Sequence, residues 1–288
     1  MQKGLLTVLV ITYNHKDYIE KAMDSIIEQK TSFPFTVYVA EDCSTDGTRD
    51  ILIRYKKKYP DKIDLFLNDT NIGVEKNMHN ALLSIKTKYY AFLEGDDHWC
   101  DENKLQMQVD ALEANPDCTL CGHNTLMHDV STGKDKLFIG TAIKYKIKEK
   151  YSAEEPFRVH PSSRLYRNIL DFSKIPSTMI YDTAMYLLYM SEGSLYYINR
   201  VMSVYNITGQ GIMSGQSKIS QKILASTVAY NKNLYFGFKY DKQLSPSSKM
   251  LRLLKVVFGK KLGWMIYFHC NTTILKIKRL ISSCRGGG

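Results

Sequence analysis

Short apolar runs alternate with amphipathic segments through the first hundred residues, and this alternation limits the fold more than any other feature. The runs are rich in β-branched and aromatic residues and cover residues 5–11, 35–40, 63–67 and 89–93. Between them, apolar side chains recur at the spacing of a helix. Strands that alternate with helices of this length form parallel βαβ units with right-handed crossovers. The sequence therefore predicts an α/β fold with a mostly parallel, Rossmann-like sheet flanked by helices.

Polar side chains follow each of the four predicted strands at its carboxyl end. Because the carboxyl ends of parallel strands meet at one edge of a sheet, we expect a single crevice there. No G-x-G-x-x-G follows the first strand and no G-x-x-x-x-G-K-[ST] occurs, so dinucleotide and P-loop enzymes are disfavoured. The polar set is Thr12 and Asn14, Glu41 and Asp42, Asn71 and Gly73, and Glu94 to Asp97.

The fourth strand ends in Glu94-Gly95-Asp96-Asp97, which places three carboxylates around one glycine. Carboxylate oxygens suit Mg²⁺ or Mn²⁺ that also carries a substrate phosphate. The alternative is an acidic turn that only precedes a helix, because a motif this short also occurs by chance. The turn predicts a metal site only in combination with the crevice.

The net charge of +10 is concentrated at the C-terminal end. Nine of the 39 basic residues, but none of the 29 acidic ones, lie from Lys249 onward, so the preceding residues are nearly neutral. This distribution predicts no nucleic-acid partner. Apolar residues among these lysines are typical of a helix at an anionic membrane surface. The alternative is an amphipathic helix packed on the core. A membrane-spanning helix is not expected, because the apolar residues 262–275 are too few to cross a bilayer.

The six cysteines have no framework spacing and no leader precedes Thr7, which indicates free thiols and a cytoplasmic protein. Cys118 and Cys121, with His123 nearby, resemble half of a zinc site, but a second ligand pair is missing. We therefore expect structural thiols on a buried strand. The lysine-rich residues 131–151 predict a loop over the crevice.

Several motifs, in this order and spacing, resemble those of the family-two glycosyltransferases, which have the GT-A fold. The resemblance spans about residues 5–215 and implies inverting, metal-dependent transfer of one sugar from a nucleotide donor, most often a UDP-sugar. The acceptor would be a hydroxyl of a glycan or lipid-linked precursor in surface polysaccharide synthesis, at the inner face of the plasma membrane. The motifs are VLVITYNH (8–15), EDCSTDGT (41–48), NIGVEKN (71–77), FLEGDDHW (92–99), YDTAMYLLYMSEG (181–193) and VMSVYNITGQG (201–211).

The resemblance also implies a division of the chain. Residues 1–100 would bind the nucleotide sugar, residues 101–215 would bind the acceptor and complete the catalytic site, and residues 216–288 would form a basic helical extension. Glu94-Gly95-Asp96-Asp97 with Trp99 suggests the E-G-D-D-x-W subgroup.

The resemblance assigns the nucleotide to five residues of the first hundred. Asp42 matches the carboxylate that accepts from uracil N3–H, and Thr12 and Tyr13 support the base from the first loop. Gly73 lies in the third motif, and Lys76 stands where the family often has an arginine near the nucleotide.

The same resemblance assigns the metal and the catalytic base. Asp96 matches the metal-binding aspartate of the D-x-D motif, and Glu94 occupies its first position and would face the ribose. Asp182 matches the general base for the acceptor hydroxyl. An aspartate before an apolar helix also acts as an N-cap without any catalytic role, so the two interpretations of Asp182 stand side by side. His160 is a further candidate for contact with the acceptor.

Two positions differ from the family pattern. Asn206 stands where an arginine is expected, and Thr208 where a histidine often meets the metal or the diphosphate. Either the ion rests on Asp96, phosphates and water, or another side chain compensates. Two other functions remain open, a sugar-nucleotide nucleotidyltransferase, which normally has a glycine-rich loop after the first strand, and an inactive membrane-associated scaffold.

Overall fold

The computed structural model describes residues 4–140, 150–152, 157–180 and 182–209. The basic C-terminal segment and the predicted boundary at residue 215 lie outside these residues. In the part of the chain that is described, no helix has both the length and the apolar character to cross a membrane.

The first hundred residues form the predicted parallel βαβ units. Strand β1 pairs in parallel with both β2 and β4, and β2 pairs with β3. The predicted alternation is therefore confirmed. The elements are β1 (Leu6–Thr12), α1 (Ile19–Ile27), β2 (Phe35–Glu41), α2 (Thr48–Lys58), β3 (Ile63–Leu67), α3 (Val74–Ser84) and β4 (Tyr89–Glu94).

The residues beyond β4 extend the same sheet with mixed pairing. They form β5 (His98–Trp99), α4 (Lys104–Ala114), β6 (Cys118–Asp129), β7 (Lys134–Leu137), β8 (Lys150–Tyr151), β9 (Leu165–Arg167), α5 (Asp182–Glu192) and β10 (Ser194–Ile207). The strand order is β3-β2-β1-β4-β9-β6-β10-β5, with β7 beside β6 and β8 beside β10. Strand β9 is antiparallel to both β4 and β6, whereas β6 and β10 run parallel. Short 3₁₀ turns cover Pro161–Ser163, Phe172–Lys174 and Ser177–Met179.

Strand β4 lies in the middle of the sheet, and its residues from Tyr89 to Leu93 are all buried. The Tyr90 ring stacks on Tyr166 with centroids 4.9 Å apart, and its hydroxyl donates to the Tyr189 hydroxyl at 3.0 Å. Burial on both faces is what the uncharged, aromatic-rich sequence predicted. The α/β fold with a central sheet flanked by helices is confirmed.

Two of the smaller predictions have different outcomes. Cys118 and Cys121 are buried on β6, and burial raises the pKa of their thiols to about 11 and about 12, which agrees with structural thiols. The segment 131–151 is not wholly a loop, because β7 forms a hairpin with the end of β6. Strand β7 was not predicted because its side chains are mostly exposed and its lysines are typical of a loop.

Candidate active site

The carboxyl ends of the parallel strands meet at one edge of the sheet, as expected. Thr12 lies opposite Glu41, and Ile11 lies opposite Glu94. Backbone bonds join the segments that follow the strands: Asp42 N donates to Thr12 O at 3.0 Å, and Gly95 N donates to Ile11 O at 2.9 Å. The predicted crevice therefore contains the ends of β1, β2 and β4 within hydrogen-bonding distance of each other.

Asp42 orders the loop before α3. Its Oδ1 accepts from Asn68 Nδ2 at 3.0 Å and from Ile72 N at 2.9 Å, and its Oδ2 accepts from Gly73 N at 2.9 Å. The side chain is almost completely buried. A carboxylate accepts about four hydrogen bonds, so these three leave about one position for a ligand. The role of Asp42 in base recognition stays a prediction, and its contact with the loop at Gly73 is established.

Two asparagines complete this arrangement, and neither was predicted from the sequence. Asn68 Nδ2 also donates to Asn77 Oδ1 at 2.9 Å, and Asn77 Nδ2 donates to Ala40 O at 3.0 Å. Both asparagines are buried, whereas Tyr13 and Lys76 are exposed. The nucleotide roles of Tyr13 and Lys76 remain predictions.

Glu41, next to Asp42, belongs to an ion pair. Its side chain is fully buried, and its Oε2 accepts from Arg49 Nε at 2.6 Å. Arg49 also donates to the carbonyl of Asn68. The Glu41 carboxylate thus connects β2, α2 and the loop after β3, and its role is structural.

Gly95 lets the acid turn approach the loop after β1. A Cβ atom at this position would lie 2.6 Å from Thr12 Oγ1 and 2.9 Å from His15 Nδ1, which is too close for any side chain without displacement. Thr12 Oγ1 and His15 Nδ1 are themselves 3.2 Å apart. Thr12 is therefore in contact with the acid turn, in addition to its predicted place near the base.

Asp96 and His15 form an open pair at the crevice. Asp96 Oδ2 lies 3.9 Å from His15 Nε2, and both side chains are partly exposed. Burial lowers the pKa of His15, while the carboxylates of Asp96 and Asp46 act in the opposite direction. Asp46 accepts from Thr48 N, the first residue of α2, at 2.9 Å, and so stabilises the start of this helix.

Asp97 points inward and lacks a full set of partners. Its Oδ1 accepts from Asn206 N at 3.1 Å, while its buried Oδ2 has no partner among the described residues. Burial, together with the nearby carboxylates of Asp96 and Glu94, raises the pKa of Asp97 well above its ordinary value. No separate role was predicted for Asp97, although a second aspartate directly after an apolar run is a signal in the sequence that could have identified it.

Asn206 also explains part of the departure from the family pattern. Its Nδ2 donates to Asp96 O at 2.6 Å, so it joins the end of β10 to the acid turn. A buried Asn206 that positions this turn would not be replaced by an arginine without rearrangement.

The donor set fits a divalent ion that is shared with a substrate. Among the described residues, no three His, Cys, Asp or Glu side chains converge on one point where they could hold a metal. Mg²⁺ is commonly held by one or two carboxylates, with substrate phosphates and water completing its shell. The accessible carboxylate of Asp96 is a hard oxygen donor of this kind, whereas the carboxylate of Asp97 is buried.

A cavity of about 270 Å³ lies beside the acid turn. Glu94 lines it, as do Thr183 of the first turn of α5 and the buried His160. Asp182, the first residue of α5, directly precedes Thr183. The cavity thus brings the first turn of α5 and the end of β4 to one space, and its aromatic walls are formed by Phe92, Phe138, Tyr166, Tyr186 and Tyr205.

Trp99 joins the acid turn to the rest of this region. Its side chain is 3% exposed, and its Nε1 donates to Ser162 O at 3.0 Å. Lys104 Nζ lies 4.1 Å from the centre of the indole ring. Burial lowers the pKa of this lysine to about 7.

The family assignment rests on sequence. Residues 7–171 match the family described as Glycosyl transferase family 2. The chain belongs to this family. It is 30% identical over 208 residues to an uncharacterized protein of Mycobacterium tuberculosis, an alignment that covers 72% of this chain and 60% of the relative. It is also 30% identical over 118 residues, 40% of this chain and 18% of the relative, to the poly(ribitol-phosphate) beta-glucosyltransferase of Bacillus spizizenii. The chain spans 60% of the length of the mycobacterial relative.

Solved structures establish the fold. Residues 1–349 of Staphylococcus aureus TarS, in complex with UDP-GlcNAc, superpose with a TM-score of 0.56 at 18% identity, covering 78% of this chain and 65% of that chain. A mannosyltransferase from Pyrobaculum calidifontis, in complex with GDP-Man and Mn²⁺, gives 0.56 at 16% identity, covering 100% of this chain and 77% of that chain. The predicted GT-A fold is confirmed.

Proposed function

We propose that this family 2 member transfers a single sugar from a nucleotide donor, a UDP-sugar, to a hydroxyl of a surface-polysaccharide or lipid-linked precursor. The observation that carries the proposal is the crevice, where an accessible Asp96 follows the ends of three parallel strands and Glu94 of the same turn lines a cavity of about 270 Å³. The UDP-GlcNAc bound in TarS supports the choice of nucleotide, and the named Bacillus relative supports a polysaccharide acceptor.

In this proposal Asp42, Thr12, Tyr13, Gly73 and Lys76 form the nucleotide end of the crevice. Asp42 contributes its remaining acceptor position, while the exposed Tyr13 and Lys76 contact the base and phosphates from the rim. This end is ordered before the donor arrives, because Asp42 already fixes the loop that contains Gly73. Pre-organisation lowers the entropic cost of binding.

At the other end, Glu94 faces the ribose and Asp96 would hold Mn²⁺ or Mg²⁺ together with the diphosphate. A bound divalent ion supplies charge neutralisation for the departing nucleoside diphosphate. Asp182, at the start of α5, removes the proton of the acceptor hydroxyl as that oxygen attacks the anomeric carbon in line. Attack from the face opposite the leaving group inverts the anomeric centre.

The test is donor turnover by the full chain with Mn²⁺ and a panel of UDP-, GDP- and dTDP-sugars. The transferase should slowly release UDP from one UDP-sugar without an acceptor. A nucleotidyltransferase would need a nucleoside triphosphate and release pyrophosphate, and a scaffold would do neither. Release of GDP alone would support sugar transfer but would show that the donor is a GDP-sugar and not a UDP-sugar.

Asp182→Asn tests the proposed base. An asparagine still caps a helix, so the variant should fold and bind the donor within a few fold of the wild type. Its kcat for transfer should fall by about 10² to 10⁴, the usual contribution of a general base. Retention of more than about a tenth of the wild-type kcat would show that Asp182 is only a cap.

The proposal also places the protein at the cytoplasmic face of an anionic membrane, through the basic residues from Lys249 onward. Each such residue contributes about 1 kcal/mol near an anionic surface. The full chain should therefore bind phosphatidylserine vesicles at low salt and release them as salt rises. Replacement of Lys276, Lys278 and Arg279 by glutamine should weaken binding strongly. Indifference of the full chain to anionic vesicles would contradict this part of the proposal.

A further inference from the structure

The loop after β1 presents an imidazole to the acid turn. His15 Nε2 and Asp96 Oδ2 are 3.9 Å apart, with the two side chains 25% and 16% exposed. This separation is too long for a hydrogen bond. Ligands that share one ion, each about 2.1 Å from it, are about 3 to 4 Å apart, depending on the angle between them. The observed separation is about 1 Å longer than the ~3.0 Å between adjacent ligands of an octahedral ion, so a small rotation of the two partly exposed side chains would bring both atoms to one ion.

The ring of His15 is held in this orientation from behind. Its Nδ1 lies 3.2 Å from Thr12 Oγ1, so the other nitrogen faces Asp96. The backbone is also fixed, because His15 N donates to Thr48 Oγ1 at 2.9 Å and His15 O accepts from Ile19 N at 2.8 Å. Histidines that bind metals are usually oriented by a hydrogen bond to their second ring nitrogen. Thr12 supplies that bond if Nδ1 carries the proton.

Gly95 makes the arrangement sterically possible. With any side chain at this position, Cβ would lie 2.9 Å from His15 Nδ1, and the turn would have to move away from the ring. At β10, the Asn206 amide is already engaged with the carbonyl of Asp96. The imidazole beside the Asp96 carboxylate thus comes from the loop after β1.

We propose that His15 Nε2 and the Asp96 carboxylate together bind the divalent ion, with donor phosphates and water in the remaining positions. The inference rests on the proposed metal-dependent function and assigns a second protein ligand to the metal ion. Mg²⁺ prefers oxygen ligands, and the affinity of nitrogen-containing sites rises from Mn²⁺ along the first-row series. A site with one imidazole therefore favours Mn²⁺ over Mg²⁺.

Pulsed electron paramagnetic resonance of the full chain with Mn²⁺ and UDP tests the assignment directly. The wild type should show modulation from a directly bound ¹⁴N nucleus, and protein labelled with ¹⁵N-histidine should show the ¹⁵N pattern instead. His15→Gln should lose the nitrogen signal. His79→Gln is the matched control, since His79 is a half-buried histidine bonded to Phe172 O at 2.9 Å, and it should keep the signal.

Affinities give a second readout that needs no catalysis. In His15→Gln, the Mn²⁺ affinity of the UDP complex should fall at least about tenfold, and the preference for Mn²⁺ over Mg²⁺ should narrow. Thr12→Val should weaken Mn²⁺ binding about tenfold while the nitrogen signal persists.

The outcomes separate this inference from the function on which it rests. If Mn²⁺ strengthens UDP binding but labelled histidine leaves the wild-type spectrum unchanged, the inference is wrong and the proposed function stands. A nitrogen signal that survives in His15→Gln would also overturn it. If Mn²⁺ has no effect on UDP binding by the wild type, the metal-dependent function fails as well. The labelling experiment decides the question even if His15→Gln does not fold.

Discussion

Two pairs of adjacent acids end the two strands that flank β1, and their surroundings differ. Glu41 and Asp42, at the end of β2, are buried, and between them they contact Arg49, Asn68 and the loop before α3. Among the described residues, Asp96 and Asp97 after β4 have fewer partners: His15 lies 3.9 Å from the first, and Asn206 N donates to one oxygen of the second, which is buried. The protein satisfies most acceptor positions of Glu41 and Asp42, which stabilises the fold, whereas the carboxylate of Asp96 is accessible to a ligand.

The first and largest expected effect is at the pair after β4. Asp96→Asn should lower kcat for sugar transfer by about 10³, because a bound metal contributes several kcal/mol to stabilisation of transition-state charge. It should also remove most of the gain in UDP affinity that Mn²⁺ produces, as titrations with and without Mn²⁺ would show. Asp46→Ala is the control and should cost only about 1 kcal/mol of stability. An unchanged dependence on Mn²⁺ in Asp96→Asn would place the ion elsewhere.

The second prediction concerns the pair after β2. Arg49→Met leaves the Glu41 carboxylate buried without its partner, which should lower the free energy of unfolding by about 3 to 5 kcal/mol. Urea denaturation measures this loss. The exposed pair of Lys30 and Glu102 is the matched control, and Lys30→Met should cost less than about 1 kcal/mol. Equal losses in the two variants would show that burial of Glu41 does not make its ion pair more important for stability than an exposed one.

The third and smallest expected effect is a pH dependence at Asp97. Its raised pKa means that, above about pH 4, the folded protein keeps a proton that the unfolded chain has lost. Stability therefore falls as pH rises toward the folded pKa, by at most about 1.4 kcal/mol per pH unit. In urea denaturation with EDTA present to remove metal, the free energy of unfolding of Asp97→Asn should fall less between pH 5 and 8 than that of the wild type. Parallel curves for the wild type and Asp97→Asn would contradict it, and the exposed Asp61→Asn is the control.

The alternation of strands and helices was predictable from the sequence because each parallel strand is buried on both faces and each helix on one. The mixed half of the sheet was harder to predict. Strand β7 is mostly exposed, and β9 contributes only three residues, Leu165–Arg167, so neither has a clear hydrophobic period.

The location of the site was also predictable, because polar residues end each parallel strand. The difference between the two acid pairs was not, since Glu41-Asp42 and Asp96-Asp97 look alike in sequence. It depends on contacts across more than a hundred positions, such as that between Asp97 and Asn206, and on the loop conformation that turns His15 toward Asp96. Such contacts are a property of the folded chain.

The position of Trp99 has a practical consequence. Its buried indole lies three residues beyond Asp96, with Lys104 above the ring, so its surroundings change when charge arrives at the turn. The sequence contains one other tryptophan, Trp264, and replacing it by phenylalanine would leave Trp99 as the sole tryptophan. The protein thus has a built-in fluorophore through which ion and nucleotide binding can be followed in real time, without a label.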